Sequence, residues 1–217
     1  MVKKEFLSEF KTLKLNSMFD ITLVDSSVYS ITVETYENII PMISMERKND
    51  TLNLKNDYNC TWLKKEDMPK IRITAPNIEE VLVDEACNIR TDGILKYDKF
   101  LLEVKAKIVS CDLNLDCTLF SGKFIYTTGD YYIRGVAAWV SFLNYGKGNL
   151  HAENFKCNHL DLMHNSVGYS NISCYGYLKF IEIKLGYVYL FTAQCPNIIF
   201  ENNEDKKLLF TEGCLNE

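Results

Sequence analysis

A short tripeptide recurs through the second half of the chain: a small residue, then Asn or Asp, then an apolar residue. The steps between successive Asn/Asp positions are 24, 18, 19 and 22 residues, with a mean of about 21. A period near twenty indicates a solenoid in which each repeat forms one coil. The small residue and the Asn or Asp suit a tight corner, and the apolar residue turns inward. The five copies are Cys87-Asn88-Ile89, Cys111-Asp112-Leu113, Gly129-Asp130-Tyr131, Gly148-Asn149-Leu150 and Ser170-Asn171-Ile172.

Short strands recur in the same frame, and helical periodicity is hard to find. Apolar and polar residues alternate, which is typical of strands with one buried face. The chain lacks the LxxLxLxxN ladder of leucine-rich repeats. The sequence therefore predicts an all-β fold, a parallel β-helix. Its recurring apolar doublets are Val81/Val83, Leu102/Val104, Leu160/Leu162 and Ile181/Ile183.

The first 75 residues have a different pattern of apolar and polar residues. Longer alternating runs predict antiparallel strands, with a hairpin turn at Asn49-Asp50 and a short helical turn between Thr35 and Met45. We predict one domain over residues 1–217. Residues 1–75 form the N-terminal strands and a cap, residues 76–200 form about six coils, and residues 201–217 form a polar tail that shields the far end.

Composition and motifs exclude several classes of function. The net charge of -5 and the pI near 5.4 argue against nucleic-acid binding, which needs a basic face. No P-loop, GxGxxG, GxSxG or EF-hand string occurs, and we expect no cofactor. No stretch has the length of a transmembrane helix, and the N-terminus does not resemble a signal peptide. A cytoplasmic location is therefore one alternative, and a mature exported chain is the other.

Three longer stretches, in this order, resemble one known family. They are FDITLVDSSVYSITVETYENIIPMISMERKNDTLNLKN, IRITAPNIEEVLVDEACNI and GYVYLFTAQCPNI. The order and spacing over roughly residues 15–200 resemble the putative auto-transporter adhesin, head GIN domain family, found mainly in Bacteroidetes. The Gly-Ser-rich corners typical of that family are eroded here. The resemblance implies a right-handed parallel β-helix and a cell-surface or secreted location, and it implies no established activity.

The three histidines of the chain lie close together in the sequence, beside carboxylates. His151 and Glu153 are two residues apart, as are His159 and Asp161, so each pair shares one strand face. If neighbouring coils align the two pairs, they form a two-His, two-carboxylate site for zinc or another transition metal. The alternative is that all four are ordinary outward polar residues.

Tyrosines crowd the predicted coils. Aromatic rings bind sugars and anchor interfaces, but they also stack into ladders between coils. Adjacent strand residues face opposite ways, so one of Tyr131 and Tyr132 must face outward. We predict a ligand face that includes Tyr131, Tyr132, Tyr145 and Tyr169.

A catalytic alternative uses the acids of the coils. Asp112, Asp116 and Asp130, with Arg134 or Lys105, resemble in kind the clustered groups of β-helix polysaccharide lyases and hydrolases. Two of these acids already occupy corner positions, where turn chemistry explains them. We therefore expect a protein that is not an enzyme.

Eight cysteines occur without any CxxC pair, which argues against zinc ribbons. Cys87 and Cys111 occupy the same position of the tripeptide, which predicts buried neighbouring thiols one coil apart. A disulfide between them requires an exported chain.

These observations leave three hypotheses of function. The first is a non-catalytic adhesin or binding module whose partner is a glycan or protein on a surface. The second is a self-assembling structural β-helix, and the third is a polysaccharide-acting lyase or hydrolase.

Overall fold

The computed structural model of the protein describes residues 2–57, 68–192, 196–201 and 209–212. All 17 strands in these segments join into one continuous sheet that coils as a β-solenoid. The all-β, parallel β-helix prediction is confirmed. A 3₁₀ turn, Ile40–Met42, lies within the predicted helical turn. The strands are β1 Val2–Phe6, β2 Thr12–Leu15, β3 Phe19–Asp25, β4 Ser30–Glu34, β5 Ile43–Lys48, β6 Thr51–Asn56, β7 Lys70–Ala75, β8 Glu80–Val83, β9 Cys87–Thr91, β10 Leu95–Val104, β11 Val109–Thr127, β12 Asp130–Gly146, β13 Asn149–Ala152, β14 Phe155–Ile172, β15 Tyr177–Phe191, β16 Asn197–Phe200 and β17 Leu209–Glu212.

The strands stack in parallel into two long columns. The first column runs β6–β2–β8–β10–β11–β12–β14–β15–β16. The second runs β7–β3–β9–β11–β12–β13–β14–β15–β17. The long strands β11, β12, β14 and β15 pass round a corner and so belong to both columns.

The core follows from alternation within each strand. In the first column Val81 pairs with Leu13 on one side and with Leu102 on the other, and all three are fully buried. Because side chains alternate across a strand, the residues between them face solvent. The Val81/Val83 and Leu102/Val104 doublets stack as the sequence predicts.

The N-terminal strands cap one end of the solenoid. β4 covers β7 in antiparallel orientation, β1 covers β4, and β5 covers β6. The β5–β6 hairpin turns at Asn49, whose φ is +55°, as expected for the Asn-Asp turn. The predicted antiparallel strands are thus confirmed. In addition, β2 and β3 pair in parallel with β8 and β9, so coil stacking already begins at Thr12.

The tripeptide predicted the period of the coils but not their register. Asp130 does pair with Asn149 in the next coil. Elsewhere the alignment is wrong by two residues: Asp112 pairs with Arg90 and Tyr132, and Asn171 pairs with His151. A shift of two keeps each side chain on its original face, because the strand repeat is two. The apolar pattern therefore did not distinguish the two registers.

Candidate binding faces

The outer side of the second column carries a group of aromatic and polar side chains, which we call the tyrosine face: Asp130, Tyr132, Asn149, His151 and Tyr169. Strand register forms it, since Tyr132 pairs with His151 and Asp130 with Asn149. The rings of Tyr132 and His151 stack with centroids 4.2 Å apart, and Tyr169 meets His151 edge-on at 5.2 Å.

Polar contacts hold the tyrosine face together. His151 Nε2 lies 3.3 Å from the Tyr169 hydroxyl and 3.5 Å from Asp130 Oδ1. Asn149 Nδ2 donates to Asp130 Oδ1 at 3.0 Å, and its own Oδ1 accepts from the Tyr169 backbone N–H at 3.2 Å. Burial raises the pKa of Tyr169, and the nearby Asp130 charge adds to this. The Tyr169 hydroxyl therefore stays protonated and can donate a hydrogen bond.

A sequence signal for this face lies in four glycines spaced 19, 20 and 18 residues apart, which the tripeptide analysis used only in part. Each precedes a strand segment of the second column by a residue or two. A Cβ at Gly168 would lie 2.6 Å from the Gly148 carbonyl oxygen, so the corner of one coil rests on the corner below. The four are Gly129, Gly148, Gly168 and Gly186.

Two of the predicted ligand-face tyrosines lie elsewhere. Tyr131 is fully buried, its ring stacks on Phe124 at 3.9 Å, and its hydroxyl lies 2.8 Å from Thr127 Oγ1. Its prediction as a ligand residue is wrong, because its alternation places it in the core while Tyr132 faces outward. Tyr145 lies at another corner, edge-on to Tyr126 at 4.8 Å.

The structure does not bring the four predicted metal ligands together. His151 pairs with Tyr132 and Asn171 in the second column, whereas His159 pairs with Trp139 and Tyr177 in the first. The two histidines follow each other along one coil, so they do not stack. Glu153 lies between them in a turn, and Asp161 pairs with Ser141 and Lys179. Within the described segments no group of three or more His, Cys, Asp or Glu has the arrangement of a metal site.

The acids considered for catalysis lie apart from one another. Asp112 forms a salt bridge with Arg134, and both side chains are about half exposed. Asp130 belongs to the tyrosine face, and Asp116 is exposed on β11. Lys105 pairs with Glu103, an acid that the sequence analysis did not consider.

The cysteines of the described residues are free thiols. Cys87 and Cys111 are both buried, as predicted, and burial raises the pKa of Cys87 to about 12 and raises that of Cys111 as well. Their register differs from the prediction, because Cys87 pairs with Val109 and Cys111 with Ile89. Cys60, Cys195 and Cys214 lie outside the described residues.

A second aromatic row, which the sequence analysis missed, lies on the outer side of the first column. We call it the tryptophan row: Leu119, Trp139, His159 and Tyr177, which are in register on four successive coils. The rings of Trp139 and His159 stack at 3.8 Å, and those of His159 and Tyr177 at 5.3 Å. The steps of 20 and 18 residues between its three ring-bearing members fall within the range of the coil steps, 18 to 24 residues, and that spacing is the signal in the sequence.

Comparison with known proteins places the chain in a family. Residues 9–184 match the family model described as putative auto-transporter adhesin, head GIN domain. The chain belongs to this family, as the sequence resemblance predicted. No curated protein matched the chain.

Solved structures share the fold. A putative adhesin from Bacteroides fragilis is 18% identical, with a TM-score of 0.81 and 92% of each chain covered. A putative adhesin from Parabacteroides distasonis is 14% identical, with a TM-score of 0.63, and the match covers 98% of this chain and 96% of that one. A protein from the same species described as a putative lipid binding protein is 12% identical, with a TM-score of 0.57 and the same coverage. At these identities the likeness shows the fold alone.

None of the helices in the described segments is long and apolar enough to cross a membrane.

Proposed function

We propose that the protein is a non-catalytic binding module that works at the cell surface or outside the cell. Its partner is a glycan or a protein displayed on a surface. Membership of a family described as adhesins supports this proposal at the level of class. The ordered outer faces of the solenoid support it at the level of structure.

The tyrosine face is the observation that carries the proposal. Tyr132 is 41% exposed, and His151 and Tyr169 hold it in a fixed position through ring contacts and a hydrogen bond. Tyrosine gives a large contact area and a polar hydroxyl while losing little conformational entropy on binding. A face that is already ordered before binding pays less of the entropic cost of association.

The experiment is a binding screen of the purified chain on immobilised glycans and extracellular matrix proteins. We expect binding to at least one surface, and we expect the Tyr132→Ala/Tyr169→Ala variant to bind it at least several-fold more weakly. Tyr36→Ala is the matched control, since Tyr36 is an exposed tyrosine of the N-terminal cap. Equal loss in both variants, or binding to nothing in the screen, contradicts the proposal.

The non-catalytic part needs its own assay. The same protein is incubated with acidic and neutral polysaccharides, with and without calcium, and the products are measured as new reducing or unsaturated ends. We expect no products above those of a heat-denatured control. Product formation that disappears in Asp112→Asn or Asp130→Asn assigns the chain to the carbohydrate-active class instead.

A second candidate function is self-assembly, which the exposed strand β1 favours. Among the described strands, β1 pairs with β4 alone, and its end residues Val2 and Phe6 are 60% and 76% exposed. Such an edge is a template for another chain. Light scattering after size exclusion tests this. Oligomers that dissociate in Phe6→Lys support self-assembly, and a monomer at all concentrations excludes it.

A further inference from the structure

The tryptophan row ends in an aromatic surface that no neighbour in the row covers by stacking. His159 stacks on the Trp139 indole with an angle of 12° between the ring planes. The opposite side of the indole therefore faces the coil of Leu119, an aliphatic residue that is 39% exposed. Trp139 itself is 52% exposed. Large aromatic side chains are seldom left this open to water, because their burial is strongly favourable.

A groove of about 520 Å³ lies on this side of the indole. Its volume falls within the range of small-molecule sites. The exposed apolar side chains of the groove are Leu119 and Trp139, while Phe100 and Val140, which also line it, point their side chains into the core. Polar side chains surround this apolar surface, and the strand register places Ser121, Ser141 and Asp161 on three successive coils. The remaining polar side chains of the groove are Thr12, Glu79, Glu80 and Lys99.

This combination fits one chemical class of ligand. A pyranose ring has an apolar face of C–H groups and a rim of hydroxyl groups. The apolar face packs on an indole, and the hydroxyls bond with serine hydroxyls and carboxylates. Serines and carboxylates one coil apart repeat about every 4.8 Å along the solenoid. The hydroxyl rim of a pyranose packed on the indole therefore reaches polar side chains on neighbouring coils.

The charges of the groove disfavour acidic sugars. Glu79 is neutralised by Lys11, whose Nζ lies 2.8 Å from Glu79 Oε1. Glu80 Oε2 accepts a hydrogen bond from Thr12 Oγ1 at 3.2 Å. Among the side chains that line the groove, the acids Glu80 and Asp161 outnumber the base Lys99, and Lys179 beside Asp161 is itself paired with Glu201. A uronate or sialate would meet like charge, whereas a neutral sugar would not.

We propose that the groove beside Trp139 binds the neutral pyranose units of a glycan. The inference deepens the proposed function, on which it rests, by adding a defined ligand class and a second site on the other strand column.

The experiment measures tryptophan fluorescence of the Trp62→Phe chain, in which Trp139 is the remaining tryptophan. The probes are cellohexaose, maltohexaose and mannohexaose as neutral sugars, and hexagalacturonate as the acidic one. We expect a saturable change with at least one neutral hexasaccharide and none with the galacturonate. No saturable change with any neutral probe overturns the inference.

Variants test the geometry, with affinities measured by calorimetry. Trp139→Ala in the otherwise native chain is expected to lower the affinity for that neutral sugar about tenfold, and Trp139→Phe less. Ser121→Leu fills the groove while leaving Trp139 in place, and it should also weaken binding. Thermal unfolding of each variant shows that it is folded. Unchanged affinity in both Trp139→Ala and Ser121→Leu overturns the inference.

The two proposals fail in distinguishable ways. Tyr132→Ala/Tyr169→Ala leaves the groove intact, so it is expected to bind the neutral hexasaccharide as the native chain does. If the chain binds a surface in the screen through the tyrosine face but ignores all neutral hexasaccharides, the groove proposal fails alone. If hexasaccharide binding is lost in the tyrosine variant and not in Trp139→Ala, the sugar site lies on the tyrosine face.

Discussion

At the scale of single residues, the structure contains a buried polar group that strand patterns do not predict. His164 is fully buried, and its Nδ1 lies 2.8 Å from Ser170 Oγ. Asn144, its partner in the neighbouring coil, donates to the same Oγ at 3.1 Å. Ser166 donates to the Gly148 carbonyl at 2.9 Å. These hydrogen bonds satisfy His164 Nδ1 and Asn144 Nδ2, whereas His164 Nε2 and Asn144 Oδ1 are buried without a hydrogen-bond partner.

His164 should make stability depend on pH. Burial lowers its pKa to about 4, while an unfolded histidine titrates near 6.5. The contribution of neutral His164 to the free energy of unfolding is therefore complete above about pH 6.5 and is lost as the pH falls towards 4. Between pH 7.5 and 5 this histidine should cost about 2 kcal/mol of unfolding free energy. Urea unfolding at both pH values measures it.

The controls for this prediction are the other histidines. The His164→Gln variant should not show this loss of stability between pH 7.5 and 5. The His159→Gln variant, which changes a residue on the outer surface, should still show it. The prediction is wrong if His164→Gln and the native chain lose equal stability between the two pH values.

At the scale of elements, the corners of the coils explain why certain positions need glycine. Gly186 opens the second-column part of β15 with a φ of +69°. A Cβ there would lie 2.0 Å from the Gly168 carbonyl oxygen and 2.2 Å from that of Ser166. Gly93 has a similar φ of +85°, yet a Cβ there would meet nothing within 4 Å. The two glycines differ in the space around them rather than in backbone conformation.

Alanine at these two positions separates the two effects. Gly93→Ala should cost about 1 kcal/mol, the ordinary penalty for a left-handed residue. Gly186→Ala should cost several times more, because the backbone of the coil below must move. Chemical denaturation gives both values. Equal losses would mean that coil contact at Gly186 contributes nothing beyond its φ.

At the scale of the whole molecule, the N-terminal strands and the coils share one hydrogen-bonded stack. β2 lies between β6 and β8, and β3 lies between β7 and β9. The predicted division at residue 75 therefore separates strands that pair with the same neighbours. In a solenoid each coil is stabilised by its neighbours, so a shared stack couples the two parts.

This coupling predicts a single unfolding transition. Leu15 is fully buried and pairs with Leu54 and Val83, one from each side of the division. Leu15→Ala should lower the free energy of unfolding by about 2–5 kcal/mol. The unfolding midpoints reported by circular dichroism and by tryptophan fluorescence should fall by the same amount. Leu185→Ala is the control, since Leu185 is 49% exposed and should change little. Separate midpoints for the two probes would show that the cap and the coils unfold independently.

The sequence determined the class of fold, the period of the coils, and the face of most strand residues. Local effects fix these properties: alternation sets the buried side, and Asn, Asp and Gly set the corners. The hairpin at Asn49-Asp50 and the outward direction of one tyrosine of the 131/132 pair were predictable for this reason. The tripeptide Gly129-Asp130-Tyr131 also indicates which of the two faces outward, since its apolar residue, Tyr131, turns inward.

Only the tertiary structure decided which outward residues meet. A shift of two residues between coils leaves every strand amphipathic, yet it changes each outward neighbour. His151 and His159 are eight residues apart, less than one coil, so they lie in different columns and pair with Tyr132 and Trp139 instead of with each other. Coil lengths set the register, and they depend on how each corner packs on the one below. The binding faces of a solenoid therefore depend on the register between coils, whereas its core depends on the alternation of residues within each strand.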